Sequence, residues 1–555
     1  MSHAQMSHRI HFWPGGALLW LLMLAVDLGL LWASGAFHAE FGEYPDEPSH
    51  YITGLMVRDY VASGFPAPPM RYAENYYLHY PKVALGHYPP LLYLVEAAWT
   101  LVFPVSRVSL LLLNALLTAF GATLLAAMTA RRYGPWAGVG AGLALIASPL
   151  VQCFCGMVMA EPLAFCLTLC ALIFCRRYFE TERWTDAAWF GLFAAFAVLT
   201  KQVTLFLALV PPITLLLTGK FGLLKRLAFW LPAVVVLVVA GPWYVFAARY
   251  FSVKLRSLAA VSWARPSWLE QVSAFVGAEG YTLTALSALG LGAFVIWPCI
   301  RRRRVEAEWA VWAAAVAAFQ VFRQLAPAAG ETRHLINIQP AIVALAVGGI
   351  VWLVGLVTAA GSRRAMGAAA LVLIIGSAFL LESFPLPRRR HHGYAEAAAQ
   401  LTADPRYEDA VFLICSDASG EGAFIAEVAA RERRPGHIIL RASKMLVHMN
   451  WTGWSYAPFF DTPEEAQTYM ESVPVRILVV ETGGGRRLWG YERLTEEMLQ
   501  RYPERWAAIG SYSGSRSRSA AGVQVKAYRL TGGEGRPLSR IRIDVRARLG
   551  RDIGN

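Results

Sequence analysis

Long apolar runs dominate the first two thirds of the chain, and short alternating runs the last third. Stretches near the spanning length of about 20 residues recur from residue 14 to residue 385. They predict about eleven spans, centred near residues 25, 118, 144, 167, 192, 210, 237, 290, 317, 346 and 374. The first run, at 14–36, is longer than a signal-peptide core and is not followed by a cleavage site and a soluble domain, so it reads as a retained span. Two other segments are apolar without being long enough to cross. Residues 89–104, PPLLYLVEAAWTLVFP, leave about 14 residues between prolines and carry Glu96, which predicts a helix lying in the membrane interface. Residues 48–63 set Tyr51, Ile52, Leu55, Met56 and Tyr60 against Arg58 and Asp59 and read as a second interfacial helix, so the pair would form a platform at the membrane surface.

After about residue 393 the period changes. AVFLICS at 410–416, HIILRAS at 437–443 and RILVVET at 476–482 are strand-like, and they alternate with helical stretches such as EGAFIAEVAARERR and EEAQTYMESV. That order predicts a small α/β domain with a partly parallel sheet. The loop SDASGEG has some of the glycines of a phosphate cradle but not their spacing, and reads first as a turn and helix cap. The fold class is therefore a polytopic α-helical membrane protein with a C-terminal soluble α/β domain. Its parts are a membrane domain at 1–385, with a long first loop at 38–106, an α/β domain at 386–530, and a basic mobile tail at 531–555 suited to anionic lipid headgroups. No repeat indicates a solenoid.

Composition agrees. Of 555 residues, 56% are hydrophobic and 16% charged, against about 25% charged in soluble proteins. The mean hydropathy is +0.41, and a soluble enzyme is excluded. A net charge of +13 would suggest nucleic acid, except that the arginines punctuate the apolar runs. Arg131 with Arg132, Arg176 with Arg177 and Arg183, Lys220 with Lys225 and Arg226, residues 301–304, and Arg363 with Arg364 fall in alternate connections, as the positive-inside rule requires of cytoplasmic loops. The amino terminus is then cytoplasmic. The odd count puts the first loop, residues 249–280 and everything beyond 383 on the exoplasmic side. The seven cysteines form no disulfide framework.

Candidate chemistry gathers on that exoplasmic face. Asp46 and Glu47 stand in GEYPDEPSHY, where Asp46 could simply cap the helix that Pro48 helps to start. Glu161 opens the fourth span, Lys201 closes the fifth, and Arg333 with His334 precedes the tenth. Acids and cations converging at one membrane surface suit a phosphate-linked lipid substrate and an acceptor that must lose a proton. In NYYLHYPKVALGHYPP, Tyr80, His87 and Tyr88 are candidates for contact with acceptor or sugar, and otherwise an aromatic belt. His79 and His87 form a weak divalent-metal pair; no cofactor is otherwise called for. Asp27, inside the first span, is costly in lipid and is expected to face the bundle interior. With Asn114 it supports a rival reading as a proton-coupled transporter, although no paired broken helices are evident. A third reading is an exoplasmic scaffold that works through its tail.

The arrangement resembles the GT-C superfamily of membrane glycosyltransferases, close to the protein O-mannosyltransferases and the lipid A aminoarabinose transferases. The features that match are the DE pair in the first exoplasmic loop, HYPPLLY after it, AEPLAF at the fourth span, LTK at the end of the fifth, and RHLINIQP opening a late span. The resemblance covers residues 10–385 and leaves out the tail. It implies transfer of a sugar from a polyprenyl phosphate to a lipid, glycan or protein hydroxyl, with inversion. Asp46 matches the family's loop aspartate, expected to be the base, and Glu47 its neighbour. Glu161 stands where relatives often have aspartate. Lys201 and Arg333 match cations expected near the donor phosphate, and His334 stands where relatives often carry tyrosine.

Overall fold

The computed structural model describes residues 16–86, 88–250, 268–326, 331–358, 364–387, 389, 391–449, 456–483, 485, 487–514, 522–532, 542–543 and 553–554. His87 and most of the basic tail lie outside these residues, so two of the sequence expectations find no counterpart here.

The first nine α-helices are α1 (Gly16–Ala33), α2 (Asp46–Ala62), α3 (Pro69–His79), α4 (Leu91–Val102), α5 (Arg107–Tyr133), α6 (Pro135–Ala147), α7 (Pro149–Cys155), α8 (Glu161–Thr181) and α9 (Trp184–Thr200). Each of the eleven apolar centres falls in a helical segment. Among the described residues, seven helices are long and apolar enough to cross a membrane, and α6 with α7, bent by 56°, would make an eighth. Trp184–Thr200 and Gln202–Thr218 are apolar but shorter. The second of these begins as a 3₁₀ helix, Gln202–Leu209, before Pro211 and Pro212 open the α-helix Val210–Thr218. Proline suits such a position because the first-turn amides have no intrahelical partner.

The arginine clusters of separate connections meet at one end of the bundle. Arg132 pairs with Glu306 at 2.7 Å and Glu308 at 2.8 Å, and Arg132, Lys220 and Arg304 line one cavity there. Along α8 that end lies roughly 20 Å from Glu161, at 1.5 Å per residue between Glu161 and Arg176. Charge has been sorted to one end and the candidate chemistry to the other.

The tail holds a five-stranded sheet built from β1 (Val411–Cys415), β2 (Ile439–Arg441), β5 (Val475–Gly483), β6 (Trp506–Gly514) and β7 (Val523–Leu530); β3 (Val447–His448) and β4 (Ala457–Pro458) form a separate small ladder. The order is β2-β1-β5-β7-β6. β1 runs parallel to both β2 and β5, with Leu413 opposite Leu440 and Leu478, while β7 is antiparallel to β5 and β6. The sequence reading anticipated the parallel part and passed over β6 and β7. In the SDASGEG loop, Asp417 Oδ1 accepts from the Ser419 and Gly420 amides at 2.9 Å each, so the chain's own carboxylate caps the helix Ala418–Arg431. The phosphate-cradle idea gives way to the cap.

The tail shares its core with the first loop. One continuous apolar cluster contains Phe41, Tyr51, Leu55 and Tyr76 of the loop together with Phe412, Phe424 and Val479 of the tail. Of the two helices expected to lie on the membrane surface, α2 is instead buried along Glu47 to Leu55, packed against α4 on one side and the tail helix Ala418–Arg431 on the other. A Cβ on Gly422 would come within 2.7 Å of Pro48 Cγ and 2.8 Å of Lys82 Cε, so glycine lets that tail helix sit directly behind Asp46. The tail and the first loop therefore occupy the same end of the molecule.

Candidate active site

Five chain segments bring ionisable groups together under α2. Asp46 is the first residue of α2 and Glu161 the first of α8, where free amides favour a carboxylate. Lys201 follows the last residue of α9, where free carbonyls favour a cation; its own carbonyl accepts from Thr204 Oγ1 at 2.8 Å. Arg333 and His334 sit in the 3₁₀ turn Thr332–Ile338, and Tyr88 in the loop before α4. Asp46 stands just inside α2, after the N-cap residue Pro45, and its side chain turns to Tyr88 and Arg333, so the capping role that the sequence allowed falls away.

Asp46 Oδ2 accepts from Tyr88 Oη at 2.7 Å and from Arg333 Nη1 at 2.5 Å. Arg333 also lies 2.7 Å from Glu331 Oε2 through Nε, and its guanidinium covers the Tyr44 ring at 4.6 Å. Tyr44 Oη donates to Glu331 at 2.9 Å, closing that cradle. Lys201 Nζ is ion-paired to Glu161 Oε1, both fully enclosed. Glu161 Oε2 and His334 Nδ1 find no hydrogen-bond partner among the described residues. The Asp46 side chain keeps 24% of its surface accessible while Glu161 keeps none, so of these two carboxylates Asp46 is the one that a second molecule can touch.

His50, one helical turn past Asp46, was not singled out in the sequence. It is buried, with Nδ1 at 3.2 Å from Tyr93 Oη and its ring 4.7 Å from that of Tyr88. Asp46, Glu161, Lys201 and Arg333 all lie within its electrostatic reach, so it stands inside the group. The i, i+4 spacing from Asp46 was the available signal. Burial pushes the imidazole down to about 4, so near neutrality His50 is an uncharged hydrogen-bonding group. Burial would raise the Asp46 carboxyl, but Arg333, aided by Tyr88, outweighs it and holds the carboxyl well below the usual range. Burial and the Asp46 charge push the Tyr88 hydroxyl well up, keeping it a donor.

Several expected site residues lie elsewhere. Glu47 is fully buried and accepts from Arg107 Nε at 2.8 Å and the Val158 amide at 3.1 Å; Arg107 in turn binds the carbonyls of Ala36, Ala39 and Gly156. This hub ties the first loop, α5 and the turn before α8 together, and it corrects Glu47 from a catalytic to a structural group. Tyr80 donates to Glu432 Oε1 at 2.5 Å and accepts from the Gly436 amide, and His79 Nδ1 lies 2.7 Å from Gly436 O. Both are therefore tail contacts, and the predicted sugar contact at Tyr80 and metal role at His79 do not fit that placement. Among the described residues, Glu40, His391 and Glu396 bring metal-ligand atoms together, but Glu40 already accepts the His392 and Ala395 amides at 2.8 Å each. Asp27 is fully enclosed by the bundle, as expected, with neither oxygen hydrogen-bonded among the described residues. Asn114 donates to Met157 O at 2.6 Å.

Residues 87–246 match the family model for dolichyl-phosphate-mannose-protein mannosyltransferase, a stretch that includes Tyr88, Glu161 and Lys201. No curated protein sequence matches. Among solved structures, ArnT from Cupriavidus metallidurans bound to undecaprenyl phosphate aligns over 95% of this chain and 100% of its own, with 14% identity and a TM-score of 0.56. The oligosaccharyltransferase of Archaeoglobus fulgidus in its apo form aligns over 85% of this chain and 70% of its own, with 14% identity and a TM-score of 0.55. The AglB oligosaccharyltransferase of the same organism, with an inhibitory peptide and a dolichol-phosphate, aligns over 98% and 77%, with 12% identity and a TM-score of 0.54. With its helical body and C-terminal sheet, the chain shares the fold of the ArnT and oligosaccharyltransferase structures.

Proposed function

We propose that this protein is a glycosyltransferase that moves a sugar from a polyprenyl phosphate to an acceptor hydroxyl at the exoplasmic face of a bacterial inner membrane. The observation that carries the proposal is the pairing of two buried cations, Lys201 and Arg333, with carboxylates at one end of the bundle, where Asp46 is held by Arg333 and Tyr88 yet stays partly accessible. The lipid phosphates bound by the ArnT and AglB structures support a lipid-linked donor.

A sugar held through phosphate already carries a good leaving group. What remains is to align the acceptor oxygen with the anomeric carbon, remove its proton and meet the charge left on the phosphate. In this reading Asp46 takes the proton, Arg333 and Lys201 face the phosphate, and Glu161 holds Lys201 at the site when no donor is bound. Neutral His50 and Tyr88 supply hydrogen bonds without adding charge. In-line displacement inverts the anomeric centre. The test is transfer of radiolabelled sugar from a polyprenyl phosphate donor by the purified chain in nanodiscs. Transfer that stops in both Lys201→Ala and Arg333→Ala while thermal unfolding is unchanged supports the reading. Full activity in both variants overturns the phosphate assignment.

A further inference from the structure

Within the chain, each cation assigned to the donor phosphate already holds a carboxylate of the site. Arg333 Nη1 lies 2.5 Å from Asp46 Oδ2, and Lys201 Nζ is paired to Glu161 Oε1. We infer that the donor enters by an exchange of partners: a lipid-borne phosphate takes Arg333 from Asp46, and Lys201 from Glu161, so that Asp46 is released to act only once the donor is seated. The inference rests on the phosphate assignment proposed above and adds an order of events to it.

Three features favour exchange over a fixed pair. A guanidinium fork matches two phosphate oxygens, whereas Asp46 offers Arg333 one oxygen at hydrogen-bond distance. Arg333 is anchored without Asp46, by Glu331 at 2.7 Å and by the Tyr44 ring beneath it, so its head can turn to a new partner with little loss of position. Asp46 likewise keeps Tyr88 at 2.7 Å when Arg333 leaves. Releasing Arg333 also changes the chemistry. Held by Arg333, the Asp46 carboxyl lies well below the usual range and is a poor proton acceptor; freed, it is left with its burial, which raises proton affinity.

The step balances. The acceptor O–H gives its proton to Asp46, a new bond forms from that oxygen to the anomeric carbon, and the bond from that carbon to the phosphate oxygen breaks. The electron pair leaves with the phosphate, and Arg333 and Lys201 meet its charge. Donor binding then precedes acceptor activation.

Exchange makes a counterintuitive prediction, because a catalytic carboxylate becomes a competitor for the donor. In nanodiscs carrying the full chain, Asp46→Asn should bind undecaprenyl phosphate more tightly, on the order of tenfold, and Glu161→Gln should do the same through Lys201. Arg333→Ala should bind more weakly and should abolish the gain in the double variant with Asp46→Asn. Arg333→Lys, which keeps the charge and loses the fork, replaces it if the alanine variant does not fold, and is also expected to bind more weakly. Unchanged or weaker binding in Asp46→Asn, with weaker binding in the Arg333 variant, overturns the exchange and leaves the phosphate assignment standing. Unchanged binding in both the Arg333 and Lys201→Ala variants overturns the assignment itself. Inorganic phosphate, titrated in parallel, separates the sources of the anion. A gain with the lipid, with or without one for inorganic phosphate, supports the inference; a gain confined to inorganic phosphate overturns it.

Discussion

Asp46 faces a site where Arg333 and Tyr88 meet it, whereas Glu47, one residue on, is buried against Arg107. Adjacent helical residues point about 100° apart, and here that gives the two carboxylates different partners. Asp46→Asn leaves Arg333 its partner Glu331, so thermal unfolding should stay within a few degrees of the parent. Sugar transfer should fall on the order of 100-fold, the scale of a lost base. Transfer near the normal rate would move the base to Glu161. Glu47→Ala strands the buried Arg107 guanidinium and should cost roughly 3–5 kcal/mol, the usual result of removing one partner of a buried pair. Glu47→Gln, still an acceptor for Arg107 and Val158, should cost less and keep transfer, measured by thermal unfolding in detergent alongside the assay. Loss of transfer in a Glu47→Gln variant of normal stability would return Glu47 to the chemistry.

Helices that cross side by side in lipid gain from close approach of their backbones, because lipid tails give apolar side chains no reason to leave them. The helices Tyr281–Leu291 and Gln339–Thr358 meet at reciprocal glycines. A Cβ on Gly290 would lie 1.9 Å from Leu345 O, and one on Gly349 would lie 2.2 Å from Leu286 O. Backbone carbonyls cannot swing aside as a side-chain tip can. Gly290→Ala should therefore destabilise the protein by about 1–3 kcal/mol, the cost of overpacking. Gly140→Ala, whose new methyl meets nothing within 4 Å, should be close to neutral. Equal thermal unfolding of the two variants would show that this helix pair does not set stability. Nothing in the sequence distinguished those glycines from others, because what a glycine must make room for is a property of the neighbouring helix.

The whole molecule is closed by contacts between first loop and tail. Arg434 Nε of the tail donates at 2.7 Å to Asp59 Oδ2, an oxygen that Tyr76 of the same loop also binds at 2.9 Å, and Lys82 Nζ donates to Ala418 O of the tail at 2.8 Å. Next to them His437 Nδ1 lies 2.5 Å from Glu432 Oε2, the carboxylate that also holds Tyr80. Burial lowers the affinity of His437 for its proton, but Glu432 more than compensates, so its folded pKa is raised. A raised value gives stability in full below the ordinary histidine pKa of about 6.5, lost as pH climbs through the folded value. Thermal unfolding should thus fall with pH above about 6.5 more in the parent than in His437→Gln; parallel curves would remove His437 from the clamp. Reporter fusions after Ser383 should give an exoplasmic signal, and labels in the first loop the same side. A cytoplasmic signal would mean a miscounted span, while labels on opposite sides would contradict the shared core.

Hydrophobic period alone determined the helical body, the change to an α/β tail near residue 393 and the three strands β1, β2 and β5, since lipid and a buried parallel sheet both demand unbroken apolar runs. The arginine clusters in alternate connections then set the two sides, and the span ends placed Asp46, Glu161, Lys201 and Arg333 on the side away from those clusters. β6 and β7 were passed over, although VQVKAYRL in β7 alternates apolar and polar residues with Val523, Val525 and Ala527 buried, and α3 was missed because its apolar positions interleave with tyrosines, arginine and asparagine. Only the tertiary structure decided which carboxylate is accessible, that Glu47 serves Arg107, that His50 belongs to the site, and that His79 and Tyr80 serve the tail. Each of those depends on which side chain arrives from a segment tens or hundreds of residues away, and a distance across the fold is set by packing, which no local pattern of residues encodes.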